Sequence, residues 1–248
     1  GSETNFFNNK KIKKIAYKLD DIADAIKITK EVNNYKSILI VGGGYTGVEI
    51  ATNLKVNYPD KDIIIIEKNS VILQALPASM QEYVINNLKK LNINVITNSA
   101  IENIDTKDSM IIWAPGVKPP AFTGGKRINI NEYLQFNNNC FVAGDSANFI
   151  YKNAPLRMAV QFSIMQGKLA AKNILSLIQN QPLDKYLPID LGYVVPMANK
   201  KGCGKVLGLE VKGITPIFLH YFMSVYRSYG FKNKLAILFS LLRRICQS

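Results

Sequence analysis

Residues 36–67, KSILIVGGGYTGVEIATNLKVNYPDKDIIIIEK, constrain this chain more than any other stretch. An apolar, largely β-branched run (residues 38–41) meets Gly42-x-Gly44-x-x-Gly47. A helical pattern follows, and a second apolar run (residues 63–66) ends at Glu67. A bare glycine triplet is weak evidence and is often only a Gly-rich turn. Here the strand before it, the helix after it and the acid closing the next strand agree, and together they predict a βαβ dinucleotide-binding unit. Gly42 allows the tight turn, Gly44 lets backbone approach a pyrophosphate, and Gly47 lets the helix pack close to the strand. Gly43, Tyr45 and Thr46 complete the loop and first turn, whose N–H groups and dipole face an anion. Glu67, about twenty residues after Gly47, supplies a carboxylate that accepts ribose hydroxyls and repels a 2′-phosphate, so NADH is expected over NADPH.

At 248 residues and 48% hydrophobic content, the chain is long enough for one large or two small cored domains. The formal charge of +13 points to an anionic partner, although lysines are spread along the whole chain and many are simply solvated. Cys140, Cys203 and Cys246 are far apart, with no CxxC spacing, which argues for a reducing compartment and against a metal site. No secretory signal is visible, and no apolar run reaches the roughly 18–20 residues that span a bilayer.

Asp20 and Asp21 start a helix with an apolar stripe at Ile22, Ala25, Ile26 and Ile28. Helices are also predicted over 79–91 and 158–178, and strands over 93–97, 109–113 and 140–143. Ala114-Pro115-Gly116, Pro119-Pro120 and Gly124-Gly125 mark turns and loops. Residues 191–211 suggest a β-hairpin or two strands. Residues 214–229 and 233–245 read as two apolar, basic helices broken at Gly230. The resulting division is a lead-in and linker helix (1–35), a dinucleotide unit (36–112), a further α/β segment (113–183) and a C-terminal hairpin with helical tail (184–248).

Four segments carry a resemblance: GSETNFF at the start, VGGGYTGVEIATNL, IIWAPGVKPP with FVAGDSA, and PLRMAVQFSIMQGKLAAKNI. With them the chain resembles the two-dinucleotide-binding flavoproteins of the pyridine nucleotide-disulfide oxidoreductase superfamily, and within it the type II NADH dehydrogenases, which pass electrons from NADH through FAD to a quinone. The resemblance implies an α/β fold in which a Rossmann-type NADH domain is inserted in an FAD domain. The FAD domain looks incomplete, because the family's first GxGxxG, which holds the ADP half of FAD, lies upstream of the point where this sequence starts. Residues 101–109 and 120–127 also look shorter than usual, as in a trimmed or truncated relative.

The resemblance also assigns roles. Gly144 and Asp145 match the pair whose acid holds the ribityl chain of FAD, and a strand ending in Gly-Asp does place a carboxylate beside close backbone. Gly116 lies in the crossing back to the flavin domain. The family's flavin and quinone helix reads AQ-x-A-x-QQG. Here Val160, Gln161, Met165 and Gln166 align with it, both glutamines are kept, and Met165 replaces an amide. Val160 and Gln161 are expected near the flavin, and Gln161, Met165 and Gln166 near the quinone. Glu49 with Gln161 would line the reacting interface, although a Glu so placed also complements a helix dipole. Hydride transfer needs no histidine base, and the single His220 sits in the apolar tail.

Residues 211–248 carry Lys212, Arg227, Lys232, Lys234, Arg243 and Arg244 and no acid, among Phe218, Tyr221, Phe222, Tyr226, Tyr229, Phe231 and Phe239. Such a pattern suits helices lying in a membrane interface; a buried helical hairpin is the alternative. The resemblance implies a monotopic protein on the cytoplasmic face of the inner (plasma) membrane. Expected partners are NADH, a quinone and an anionic membrane surface. Homodimerisation stays open, and no nucleic-acid module is recognisable. Two other readings stay open: a sulfide:quinone oxidoreductase-like flavoprotein, which needs positioned cysteines, and a nucleotide-binding fragment without turnover.

Overall fold

The computed structural model describes residues 1–246; Gln247 and Ser248, the end of the basic tail, lie outside the described residues, as do the side chains of Leu242, Arg244, Ile245 and Cys246. The helices, in chain order, are α1 (Lys10–Ile15), α2 (Ile22–Glu31), α3 (Tyr45–Asn57), α4 (Ala78–Lys90), α5 (Val160–Ile178), α6 (Thr215–Arg227) and α7 (Phe231–Cys246). The chain divides into two compact units, one of residues 1–26 with 115–191, the other of residues 27–114 with 192–248. The division falls inside α2, and the tail groups with the dinucleotide unit, where the sequence reading sets both 1–35 and 184–248 apart as segments of their own.

In the second unit, four parallel strands form a sheet in the order Ile93–Ile96, Asp62–Ile66, Ser37–Val41, Ser109–Trp113. Their composition explains the arrangement. Ile38, Ile40, Ile65, Met110 and Ile112 are fully enclosed, as expected for parallel strands covered on both faces, which therefore read as continuous apolar runs. Val41 is in register with both Ile66 and Trp113. The carboxyl ends of three strands thus finish together, at the point where strand order reverses from one side of Ser37–Val41 to the other. That is where open α/β sheets bind ligands.

The loop from this strand into α3 is set by two glycines. Gly42 takes φ +100°, and its N–H donates to the Ile66 carbonyl (2.8 Å). A Cβ on Gly47 would stand 1.9 Å from the Gly42 carbonyl oxygen. Only a hydrogen at that position lets α3 pack this close to the strand end.

Residues 192–213 form an antiparallel sheet of Gly192–Met197, Lys201–Val206 and Leu209–Gly213. The expected hairpin has gained a third strand. The turn responsible, Leu207-Gly208, has positive φ at both residues (+50° and +88°), a hairpin turn made without the usual Asn-Gly signal. Val195, Met197 and Cys203 are buried in this sheet, which packs on α3, α4 and α6. Polar ties fix it there. Thr52 in α3 accepts a hydrogen bond from the Ala198 N–H (3.2 Å), and the amides of Asn87 in α4 and Asn199 bond reciprocally (2.8 and 3.2 Å).

In the first unit, short ladders surround α5. Glu3–Thr4 runs antiparallel to Val117–Lys118, and Ile128–Asn129 is parallel to Ala147–Asn148. The strand expected over 140–143 is limited to Cys140–Phe141, paired with Gln135–Asn137. Leu134, Phe149, Ala170 and Tyr186 form the core, with Met165 and Leu169 packed against it. The fully buried Asn173 is satisfied at both ends of its amide: Nδ2 donates to the carbonyls of Tyr133 (3.1 Å) and Asp184 (2.9 Å), and Oδ1 accepts from the Asp184 N–H (2.9 Å).

Gly47→Ala should destabilise the chain by about 1–3 kcal/mol or more, since the clash is with backbone that cannot step aside. Gly44→Ala is the control: Gly44 has an ordinary φ of −78°, and a Cβ there meets nothing within 4 Å. Thermal unfolding should show a drop of several degrees for the first variant and little change for the second; equal midpoints would refute the packing account.

Candidate functional site

Gly44 is the N-cap of α3, and the first i to i−4 bond runs from the Val48 N–H to the Gly44 carbonyl (3.1 Å). Helix geometry leaves the preceding first-turn N–H groups without intrahelical acceptors, so they form an anion cradle. Gly44, Tyr45 and Thr46 are exposed at this mouth. The Tyr45 ring lies 6.0 Å from that of Tyr193, tilted by 55°.

Glu67 reaches back to the glycine loop. Its Oε2 accepts from the Gly43 N–H (2.7 Å), and its Oε1 accepts from both the backbone N–H and the side-chain amide of Asn69 (2.8 Å each). Gly43 is gripped on its other sides as well. Its carbonyl accepts from the Leu73 N–H (2.8 Å), and a Cβ on it would fall 2.4 Å from Cγ2 of the buried Ile72. Gly43 of the glycine loop and the strand-end acid Glu67 are therefore tied by a direct hydrogen bond. Asn69 and Ile72 were not singled out in the sequence. An Asn two positions after the acid could have been noticed, because Asn side chains commonly bond backbone and side chains two residues away.

Glu49 lies in the second turn of α3. Its side chain keeps contact with solvent, yet desolvation of the carboxyl pushes its pKa above the ordinary carboxylate value. Such an acid is more readily protonated than a free one, a property suited to proton handling.

The remaining expected site residues belong to the first unit. Gly144 has φ +72° and opens a single 3-10 turn, Gly144–Ser146, that carries Asp145. The Gly144 N–H donates to Oε1 of Gln166 (2.7 Å), which is 2% exposed. Gln166, expected to face a quinone, is thus occupied in holding the Gly-Asp turn. Gln161 is also committed: Nε2 donates to Asp190 (3.0 Å), Oε1 accepts from the Leu191 N–H (3.1 Å), and Asp190 pairs with Arg157 (2.7 Å). Met165 packs against the core, whereas Val160 is 62% exposed at the start of α5. Gly116, with φ +148°, gives its carbonyl to the Asn5 N–H (3.0 Å). Arg127 was missed in the sequence. Its Nε donates to the Ala147 carbonyl (2.8 Å); burial lowers its pKa, and the Asp145 carboxylate acts in the opposite direction. The loop around Asp145 therefore combines a carboxylate, a guanidinium and a glycine turn.

The family described as "Pyridine nucleotide-disulphide oxidoreductase" matches residues 1–172. A type II NADH:quinone oxidoreductase of Haemophilus influenzae is 30% identical, over 76% of this chain and 51% of that protein. Human ferroptosis suppressor protein 1 is 24% identical, over 74% of this chain and 57% of its own. The chain therefore spans about half the length of curated relatives it matches. Among solved structures, NDH2 from Plasmodium falciparum in complex with NADH superposes with a TM-score of 0.80 at 17% identity, covering 98% of this chain and 76% of that one. A water-forming NADH oxidase from Lactobacillus brevis bound to NADH gives 0.68 at 18%, covering 83% and 50%. These likenesses establish the two-dinucleotide-binding flavoprotein fold.

Gln166→Leu should cost about 1–3 kcal/mol, because it strands the Gly144 N–H in a partly buried turn, while Gln166→Glu retains an acceptor and should cost less. Urea unfolding of the full chain measures both; a leucine variant as stable as the parent would show that Gln166 does not hold the turn.

Proposed function

Since this chain belongs to the pyridine nucleotide-disulphide oxidoreductase family, we propose that it works as an FAD-dependent NADH:quinone oxidoreductase, with NADH seated at the N-terminus of α3. The observation that carries this reading is the Glu67 carboxylate, fixed against Gly43 at the end of its strand. Bound FAD would supply the redox chemistry that links hydride donation by NADH to reduction of a quinone.

This chain's own residues bind and orient. The first-turn N–H groups of α3 and the open space beside Gly44 receive the pyrophosphate. Glu67 accepts a ribose hydroxyl and opposes a 2′-phosphate. Gly144 and Asp145 offer the ribityl chain a carboxylate acceptor beside close backbone, with Arg127 balancing the charge. Gly116 marks the crossing beside the flavin. Val160, open at the start of α5, and Gln161, which anchors that end of the helix, face it. Glu49, with its raised pKa, holds or releases a proton as charge builds at the reacting centre. Gln161, Met165 and Gln166 act on the quinone side by shaping and fixing α5, Gln161 and Gln166 through the hydrogen bonds they make and Met165 through its packing on the core.

A sulfide-oxidising reading needs reactive cysteines. The Cys203 thiol is buried and pushed up to about 11 by that burial, toward the inert end of thiol chemistry.

For the membrane, the support is in α6 and α7. Phe218, Phe222, Tyr226, Tyr229, Phe231 and Phe239 are exposed, beside Arg227, Lys232, Lys234 and Arg243. Among the described residues no helix is long and apolar enough to cross a bilayer. We place the chain peripherally on the cytoplasmic face of the inner membrane, aromatic side down, with quinone as the lipid-borne partner.

Titration calorimetry should find NADH bound at least about tenfold, roughly 1.4 kcal/mol, more tightly than NADPH. Glu67→Ala should weaken NADH and erase the preference, and equal affinity of the parent for both nucleotides would sink the assignment.

In co-sedimentation with phosphatidylglycerol vesicles at low salt, the full chain should pellet. Added salt should weaken this without abolishing it, since each cation contributes about 1 kcal/mol and the apolar part is salt-insensitive. The pair Phe222→Ser and Phe239→Ser should lower partitioning by about tenfold or more. A parent chain that stays in the supernatant would end the membrane reading.

A further inference from the structure

The carboxylate of Glu67 is held by one neighbour more than by any other. Oε1 takes both of its hydrogen bonds from Asn69, through the backbone N–H and through Nδ2, at 2.8 Å each. Oε2 takes one, from the Gly43 N–H at 2.7 Å. Asn69 is fixed in turn, because its carbonyl accepts from the Asn98 N–H (2.9 Å), and the Glu67 carbonyl accepts from the Ser99 N–H (3.0 Å). A carboxylate has about four lone-pair directions. The three bonds fill both on Oε1 and one on Oε2. The remaining direction lies on the oxygen already tied to the glycine loop.

We propose that Asn69 is a positioning residue that sets nucleotide selectivity. By saturating Oε1 it fixes the rotation of the carboxylate about its last bond. The acceptor left for a hydroxyl is then on Oε2, in a constant relation to Gly43 and the phosphate-facing loop. A ribose diol gains from an acceptor that is already oriented, and a 2′-phosphate meets a negative charge that cannot swing away. An amide suits this role because Nδ2 donates without carrying charge, so it orients the carboxylate without neutralising it. Asn69 is exposed, so its side chain is not needed to fill the core. The proposal rests on the reading of Glu67 as the ribose acceptor.

The test is a double-mutant cycle on the full chain, with Kd for NADH and NADPH measured by calorimetry and folding followed by thermal unfolding. Asn69→Ala should weaken NADH by roughly three- to tenfold, the range for loss of one hydrogen bond, and leave NADPH unchanged or slightly tighter. Asn69→Asp, which puts a like charge beside Oε1 and removes the Nδ2 donor, should weaken NADH at least as much as Asn69→Ala while also repelling a 2′-phosphate. In a Glu67→Ala background, Asn69→Ala should change neither affinity. A residue with a merely structural role would instead lower the melting temperature and weaken both nucleotides alike in either background, and that pattern overturns the proposal. It is also overturned, with the Glu67 reading left standing, if Glu67→Ala erases the preference while Asn69→Ala keeps it and both Asn69 variants bind NADH as tightly as the parent. A parent chain that binds neither nucleotide, or both equally, overturns the Glu67 reading and this proposal with it.

Discussion

The dinucleotide unit depends on the absence of a side chain at Gly47. With its Cβ position 1.9 Å from the Gly42 carbonyl, α3 can approach the end of its strand only because a hydrogen is there. That approach fixes the height of the helix N-terminus above the sheet edge. It also brings the loop backbone to where Glu67, from the neighbouring strand, can bond the Gly43 N–H. One steric allowance therefore aligns an anion cradle, a strand-end carboxylate and the switch point of a parallel sheet. Helix packing at Gly47 and the Glu67–Gly43 bond are set by the same short loop, so a substitution that loosens one loosens the other.

The helix of the first unit shows the opposite relation. The side chains of α5 that look most like ligand contacts are spent on structure. Gln166 holds the Gly144 turn, Gln161 joins the start of the helix to residues 190 and 191, and Met165 fills the core. Gln166, 2% exposed, spends its amide oxygen on the Gly144 N–H and so fixes that turn. Gln166 is then best understood as the support beneath Asp145, Gln161 as the tie between the start of the helix and residues 190 and 191, and Met165 as apolar packing on the core side of the helix.

What the sequence made legible follows from how many neighbours each element needs. The parallel strands were plain because burial on both faces demands uninterrupted apolar residues, and Ser109–Trp113 falls where it was expected. Helix α4, expected over 79–91, occupies Ala78–Lys90. Helix α5 starts two residues later than expected because Ala159 is still extended, with φ −157°. The third strand at Leu209–Gly213 was hidden because its turn uses Leu207 at φ +50°, which local preference disfavours and only the paired strands stabilise. At the site, residue types and spacing gave the glycines and Glu67. Asn69 clamping Glu67 is a local contact that was passed over, whereas Gln166 turned to Gly144 and Arg127 beside Asp145 could not be read at all. The last two depend on contacts across about twenty residues that no local pattern encodes.

The C-terminal segment joins the two themes. At its start α6 is a core element: Pro216 and Ile217 close over Gly202 of the antiparallel sheet, where a Cβ would lie 3.2 and 3.1 Å from them. From Phe218 onward the same helix turns aromatic residues to solvent, and Tyr229, at the break before α7, is 94% exposed. A chain that only needed to cover its sheet would gain nothing from leaving these rings in water, since each could release on the order of 2 kcal/mol on burial. Their exposure beside cations, on a helix whose base is locked to the nucleotide unit, gives the surface a fixed orientation rather than a loose tether. A membrane that took up those rings would thereby orient the dinucleotide unit with them.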